Sequence, residues 1–196
     1  MAKDLTEGKG EVNMDLMEAI KGRRSIRKYK PDPVSEETLQ KIMEAVRWAP
    51  SWANTQCWEI IVVKDPKIKS ELATALTKTN PALSSMTEAP LVIVLCGKKG
   101  VSGFKKGEAV TVRGDWLMFD TGIAMQTLCL TAHSLGLGTV VVGMFDQKKA
   151  EEILGVPKES EVVAMTPLGY PTTEGSAPKR KELSEFIFYE KYPVKQ

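Results

Sequence analysis

The chain has 196 residues, of which 42% are apolar and 27% are charged, and its formal net charge is +2. This composition is ordinary for a globular domain and excludes the large basic excess of a typical nucleic-acid-binding protein. Three widely spaced cysteines without a CxxC pair, and a single histidine, argue against a structural zinc site.

Residues 1–12 are polar, contain two glycines and are expected to form a flexible lead-in. They do not resemble a signal peptide, and no uninterrupted apolar run of about 18 residues occurs anywhere in the chain. Free thiols also fit a reducing compartment. We therefore expect a soluble, cytoplasmic protein with no membrane partner, folded as one domain over residues 13–196.

The first expected helix is short and ends in a basic run. Asn13 can cap a helix whose apolar residues are Met14, Met17 and Ile20, and Gly22 can end it. The next residues are Arg23, Arg24, Ser25 and Arg27, within a run from Lys21 to Lys30 that holds six basic residues and no acid.

Two interpretations of this basic run remain open. Guanidinium groups bind phosphate through paired N–H donors, and a serine hydroxyl adds a neutral donor, so the run suits a small anionic ligand. A basic helix C-terminus that continues as a solvated loop would show the same residues.

Helices and strands then alternate along the chain. Ser35 should cap an amphipathic helix that stops before Pro50, and Asp65-Pro66 should open another. Residues 58–63 predict a strand, and 91–96 predict a central strand that is covered on both faces.

The second half of the chain continues the pattern. We expect a loop at 97–114, a long buried helix at 115–135, a strand at 139–142, a helix capped by Asp146, a strand at 161–166, and from 178 an aromatic arm that covers a partner subunit. The fold class is therefore α+β, a mixed α/β sandwich with helices on a sheet of about four strands.

The polar segment from Pro50 to Trp58 is the second candidate ligand segment. It lies between a helix and a strand, and its amide and hydroxyl side chains match the donors and acceptors at the edge of a heterocycle. A helix-capping turn would have a similar composition.

No motif for a nucleophile, a metal site or an acid–base pair is present. Gly136-Leu137-Gly138 fits a helix end and tight turn better than a nucleotide loop, and His133 fits a core or interface histidine better than a catalytic base. Any difficult chemistry must then come from a bound cofactor, and the basic run fits a cofactor that carries a phosphate.

Four motifs together resemble the nitroreductase family of FMN-dependent oxidoreductases. They are Arg-Arg-Ser-x-Arg-x-Tyr at 23–29, Ala-Pro-Ser-x-x-Asn-x-Gln-x-Trp at 49–58, the segment from Asp120 through Gln126 to 135–139, and Gly-Tyr-Pro at 169–171 before Lys179-Arg180. The similarity extends over about residues 14–192. Many family members have serine or threonine in place of Trp52, proline in place of Cys57 and an acidic residue in place of Val142.

The resemblance implies a central, mainly antiparallel mixed sheet and a homodimer with exchanged arms and one FMN in each of two interface sites. Arg23 and Ser25 would hold the phosphate with Arg24 and Arg180, and Arg27 would lie beside the flavin pyrimidine edge. Ser51 and Asn54 would come from the other subunit, and a backbone N–H at Val142-Gly143 would face flavin N5. The candidate cofactor-binding residues are Arg23, Arg24, Ser25, Arg27, Pro50, Ser51, Asn54, Gln56, Val142, Gly143, Lys179 and Arg180.

The implied reaction needs no catalytic side chain and no metal. NAD(P)H would pass a hydride to FMN and leave, and a nitroaromatic, quinone or related electron-poor small molecule would then accept it in a ping-pong sequence. The alternatives are another flavin reaction, such as reductive dehalogenation or flavin fragmentation, and a non-catalytic flavin-binding redox sensor. A basic loop at 98–113 would serve as a solvated loop or as a contact for NADPH phosphate.

Overall fold

The structure is a computed structural model, and it describes residues 14–193. The α-helices are α1 (Leu16–Gly22), α2 (Glu36–Arg47), α3 (Pro66–Ala73), α4 (Ser85–Glu88), α5 (Leu117–Ser134) and α6 (Gln147–Leu154). The strands are β1 (Trp58–Val63), β2 (Leu91–Lys98), β3 (Phe104–Lys105), β4 (Glu108–Ala109), β5 (Gly138–Thr139) and β6 (Ser160–Gly169). The predicted lead-in at 1–12 lies outside the described residues.

Short polar side chains begin the helices as the sequence predicts. The Ser35 side chain accepts a hydrogen bond from Thr38 N–H at the start of α2, and Asp65 and Asp146 begin α3 and α6 in the same way. These contacts satisfy N–H groups that have no partner within the helix.

The predicted cap of α1 was wrong. Asn13 lies outside the described residues, and Asp15 caps the helix instead by accepting a hydrogen bond from Met17 N–H. Glu18 completes a reciprocal capping box by accepting from Asp15 N–H. The helix ends at Gly22, as predicted.

The main sheet has the strand order β1-β2-β6-β5, and each neighbouring pair is antiparallel. A parallel bridge between Ser25 and Thr139 adds the basic run to the edge formed by β5. The predicted fold class, a mixed but mainly antiparallel sheet of about four strands, is therefore confirmed within residues 14–193.

Strand β2 divides the core because successive side chains point to opposite faces. Leu91, Ile93 and Leu95 lie in a cluster with residues of α2 and α5, whereas Val92 and Val94 lie in a second cluster with residues of α3, α4 and α6. All five side chains are buried. This confirms the expectation of a central strand covered on both faces.

Three local features differ from the sequence predictions. The expected strand at 139–142 is reduced to β5 and a separate bridge between Val142 and Met165. The expected loop at 97–114 contains the small hairpin of β3 and β4. Helix α4 was not predicted.

Helix α5 is apolar on nearly all sides, yet one face of it is open in the single chain. Met118 is 62% exposed and Phe119 is 60% exposed. Phe186, Tyr189 and Tyr192 of the C-terminal arm are also exposed. Within the described part of the chain, no helix combines the length and apolar character needed to cross a membrane.

Candidate functional site

The basic run is an ordered part of the sheet edge. Ile26 N–H donates to Thr139 O at 2.9 Å, and the buried Tyr29 hydroxyl donates to Ile26 O at 2.6 Å. Burial of Tyr29 raises the pKa of its hydroxyl above the usual value, so this group stays a donor. With Ile26 and Tyr29 directed into the protein, Ser25 and Arg27 remain exposed.

A cleft of about 470 Å³ opens beside this edge. Its lining consists of basic, small and polar residues: Arg23, Arg24, Ser25, Arg27, Gly175, Ser176, Pro178 and Arg180. The cleft wall contains no acidic residue, and the ion pairs found within residues 14–193 do not involve these arginines. Charged donors without a carboxylate partner are the chemistry that a phosphate group requires.

Arg24 differs from the other arginines of the cleft. Its Nη1 donates to Lys21 O at 2.6 Å and to Arg23 O at 2.8 Å, close to the end of α1. Its Nε is buried and has no acceptor among the described residues. Arg24 Nη1 thus contacts the end of α1, as the helix-terminus interpretation expects, while its Nε has no acceptor within residues 14–193. Arg27 Nη1 donates to Ser25 O at 3.4 Å, and no hydrogen bond within the described residues engages the guanidinium groups of Arg23 and Arg180.

A second cavity of about 500 Å³ shares Arg23 and Arg24 with the cleft. His133 and Glu174 also line it. Burial and the two guanidiniums lower the pKa of His133 below its usual value, so its imidazole is neutral near pH 7. The sequence predicted a core or an interface position for His133. The structure places it half-buried at a cavity wall and not in the core.

The polar segment forms a tight loop with unusual backbone angles. Ala53, Asn54 and Gln56 have φ values of 46°, 56° and 48°. This left-handed region costs about 1–2 kcal/mol for a residue such as alanine, because Cβ approaches the following carbonyl oxygen. Such a loop persists only where surrounding contacts enforce it.

Hydrogen bonds inside the loop leave defined groups for a ligand. Gln56 N–H donates to Ser51 Oγ at 2.9 Å, and Gln56 Nε2 donates to Asn54 Oδ1 at 3.2 Å. The Ser51 hydroxyl hydrogen and the Asn54 amide N–H groups therefore stay available as donors, and the Gln56 amide oxygen stays available as an acceptor. Pro50 is exposed next to them. This mixture fits the edge of a heterocycle.

A buried carboxylate anchors the loop to α5. Trp52 N–H lies 3.1 Å from each Asp120 oxygen, and Cys57 Sγ lies 3.8 Å from Asp120 Oδ2. The hydroxyl of the buried Ser102 donates to the same carboxylate. Burial, followed by the Asp120 charge, raises the pKa of Cys57 to about 11, so its thiol stays protonated at neutral pH.

The structure does not bring the two halves of the predicted site together in one chain. The polar loop contacts Asp120 in the first turn of α5, while Arg23 and Arg24 share a cavity with His133 in its last turn. His133 follows Asp120 by thirteen positions of α-helix, which corresponds to about 20 Å at the standard helical rise.

The remaining predicted residues lie near the basic cleft or on the same sheet edge. Val142 N–H donates to Met165 O at 2.8 Å and is therefore already paired within the sheet. Gly143 is exposed, and no backbone acceptor is found for its N–H in the described range. Lys179 is exposed but does not line the cleft that its neighbour Arg180 lines.

Sequence reasoning named Asp120 only as the start of a motif and gave it no role, and it missed Ser102 and the cleft residues Gly175 and Ser176. A single acid in the first turn of a nearly uncharged helix was the available signal for Asp120. Ser102, Gly175 and Ser176 lie in connecting segments whose placement no periodicity reveals. Among residues 14–193, no cluster of three or more histidine, cysteine or acidic residues could hold a metal ion.

Comparisons with known proteins agree with this architecture. The sequence model described as the nitroreductase family matches residues 20–170. An "NADH dehydrogenase" of Thermus thermophilus is 32% identical, with 90% of this chain and 96% of the relative covered. A "5,6-dimethylbenzimidazole synthase" of Rhodospirillum rubrum is 28% identical over 82% of this chain and 84% of the relative.

A solved structure extends the similarity to the fold. An "FMN-dependent Nitroreductase" of Clostridium difficile R20291 superposes with a TM-score of 0.75. The two chains are 29% identical, and the match covers 90% of this chain and 99% of the other.

Proposed function

Because the chain belongs to the nitroreductase family, we propose that it is an FMN-dependent oxidoreductase that uses NAD(P)H to reduce electron-poor acceptors. Nitroaromatics and quinones are the acceptor classes proposed here. Bound FMN would supply hydride transfer at its N5 atom. The protein would act as one domain over residues 13–196, and its buried free thiols fit a reducing cytoplasm.

The observation that carries this proposal is the cleft with unpaired arginines. Arg23, Arg180 and the Ser25 hydroxyl line one space and lack an acidic partner among the described residues. A doubly charged phosphate would offset their mutual repulsion and accept their N–H and O–H groups. We assign the cofactor phosphate to this cleft, with Lys179 as a neighbouring surface charge.

Arg27 and Gly143 would serve the flavin ring. Both are exposed along the sheet edge that carries the cleft. A fixed guanidinium favours negative charge on a nearby ring edge, and an unpaired N–H can orient a ring nitrogen. Of the predicted pair Val142-Gly143, we assign this donor to Gly143, because Val142 N–H is paired with Met165 O.

A homodimer would complete the site. The Ser51–Asn54 loop and the basic cleft lie at opposite ends of α5, so a ligand that contacts both requires two chains. A two-fold axis would create two such sites at once. Met118 and Phe119 on α5, and the aromatic side chains of the arm from residue 178, are the apolar surface that such a partner and its exchanged arm would cover.

Anaerobic titration of the FMN-loaded protein with NADH and then NADPH tests the proposal. We expect retained FMN, loss of the visible flavin absorption with at least one nicotinamide, and its return on addition of a quinone or nitroaromatic. Free FMN at the same concentration is the control. Flavin that stays bound and oxidised would indicate a redox sensor, and a protein that binds no FMN would contradict the cofactor assignment.

A flavin reaction other than acceptor reduction is the second candidate, because one relative with 28% identity is named as a synthase. Chromatography of the flavin after aerobic incubation with NAD(P)H separates the two proposals. Intact FMN after many turnovers supports a reductase, whereas stoichiometric consumption of FMN supports flavin fragmentation. Release of halide from a halogenated aromatic would identify reductive dehalogenation.

A further inference from the structure

The buried Asp120 carboxylate joins three separate segments of the chain. Its side chain is 1% exposed and accepts from Trp52 N–H, the Cys57 thiol and the Ser102 hydroxyl. No lysine or arginine of residues 14–193 forms an ion pair with it. A buried acid with donors but no counter-ion is costly to keep, which points to a specific role.

The contacts hold the polar loop at both of its ends. Trp52 follows the first loop residue, Ser51, and Cys57 follows the last, Gln56. Between them lie the three residues with positive φ. The left-handed backbone of Ala53 and Gln56 is unfavourable on its own. Hydrogen bonds inside the loop and anchors at its two ends together keep it formed.

Ser102 connects this anchor to the segment that follows β2. Its carbonyl oxygen accepts from Trp116 N–H at 3.0 Å, directly before α5. Asp115 accepts from Gly100 N–H at 2.7 Å in the same region. The carboxylate is therefore held by a folded segment as well as by its own helix, so its position is fixed from two sides.

We propose that Asp120 is a positioning residue that holds the Ser51–Gln56 loop in the conformation that presents Ser51 and Asn54 to the flavin. This inference rests on the proposed function, since it takes that loop as part of the FMN site. Asp120 itself does not contact the ligand. Its effect reaches the site through Trp52 and Cys57.

The chemistry of the three donors explains why a carboxylate is needed. A carboxylate only accepts hydrogen bonds, and its two oxygens offer about four acceptor positions. An asparagine has almost the same shape but replaces one oxygen with an NH₂ group, which would face N–H, O–H or S–H donors. Asp120→Asn therefore tests the acceptor chemistry with little change in volume.

The experiment compares Asp120→Asn with the wild-type protein and with Asp146→Asn. Asp146 caps α6 through Lys149 N–H, and no hydrogen bond of the described residues joins it to the loop. Because asparagine caps a helix about as well as aspartate, its variant reports the loss of one carboxylate away from the loop. We expect Asp120→Asn to raise the Kd of FMN about tenfold. At saturating FMN it should also change the visible circular dichroism of the bound flavin. Asp146→Asn should leave both measurements at their wild-type values.

The outcomes separate this inference from the proposed function. A folded Asp120→Asn protein with wild-type FMN affinity and wild-type flavin dichroism overturns the positioning role while FMN binding stands. Absence of FMN binding in the wild-type protein overturns both. If Asp120→Asn does not fold, Ser102→Ala removes one donor only and should change the visible dichroism of bound flavin relative to the wild-type protein. An unchanged spectrum would then contradict the inference.

Discussion

Replacing Arg23 with alanine should raise the Kd of FMN by about ten- to a hundred-fold, a loss of about 1.5–3 kcal/mol. Arg23 lines the basic cleft and also borders the adjoining cavity, and no carboxylate of the described residues pairs with it. Its charge is therefore available to a phosphate, and a contact of this type is among the stronger hydrogen bonds in proteins. Fluorescence quenching of FMN during titration with the protein measures the effect.

Lys67→Ala is the matched control for this experiment. It removes one positive charge from an exposed position on α3, away from the cleft, so it tests the general effect of net charge. We expect its Kd for FMN to stay within about twofold of the wild-type value, since exposed charges are well screened. If Arg23→Ala binds FMN as tightly as Lys67→Ala does, the assignment of Arg23 to the phosphate site is contradicted.

Replacing Ile93 with alanine should lower the free energy of unfolding by about 2–5 kcal/mol. Ile93 is fully buried in the centre of β2, within the core cluster that includes Leu128 of α5 and Ile42 of α2. Truncation removes apolar contacts on that face of the sheet and leaves a cavity that the flanking strands β1 and β6 keep from closing. Urea unfolding followed by far-ultraviolet circular dichroism measures the change.

Ile68→Ala is the corresponding control because it deletes the same atoms on the surface of α3. Ile68 is 36% exposed, and alanine has the better helix propensity, so we expect a loss below about 1 kcal/mol. Both variants should be measured at one protein and one FMN concentration, since ligand binding and association add to apparent stability. Equal losses for the two variants would contradict the assignment of the core.

The parts of the fold that sequence reasoning predicted depend on short-range rules. Ser35, Asp65 and Asp146 were identified as caps because a cap needs only its own helix within three residues. The central strand was identified from an unbroken apolar run at 91–96. The same local rule failed at Asn13, since Asp15 with Glu18 forms the reciprocal cap two residues later.

Features that depend on contacts between residues far apart in the sequence could not be predicted from local patterns. Thr139 belongs to β5, but only its pairing with Leu168 of β6 shows where that short strand stops. The bridge from Ser25 to Thr139 turns an apparent basic loop into a sheet edge. Asp120 contacts Trp52 across 68 positions of sequence, so its role in the polar loop becomes visible only in three dimensions.

The candidate site shows the same division. The basic run and Arg180 were named from composition and motif, and the structure places them around one cleft. Val142 was named with Gly143, yet strand pairing occupies the N–H of Val142 and leaves that of Gly143. The FMN-binding role of each named residue remains a prediction that ligand titrations of the variants will test.

The length of α5 has a consequence for mixtures of defective chains. In the proposed dimer, a chain with Arg23→Ala keeps the wild-type polar loop, and a chain with Asn54→Ala keeps the wild-type basic cleft. When these two chains form a heterodimer, one of its two FMN sites combines the wild-type cleft with the wild-type loop. The other site combines the two substituted halves. Random reassociation of equal amounts should therefore restore about a quarter of all sites, although neither parent protein has one. Complementation of this kind occurs only where the two ends of α5 in one chain contribute to two different FMN sites.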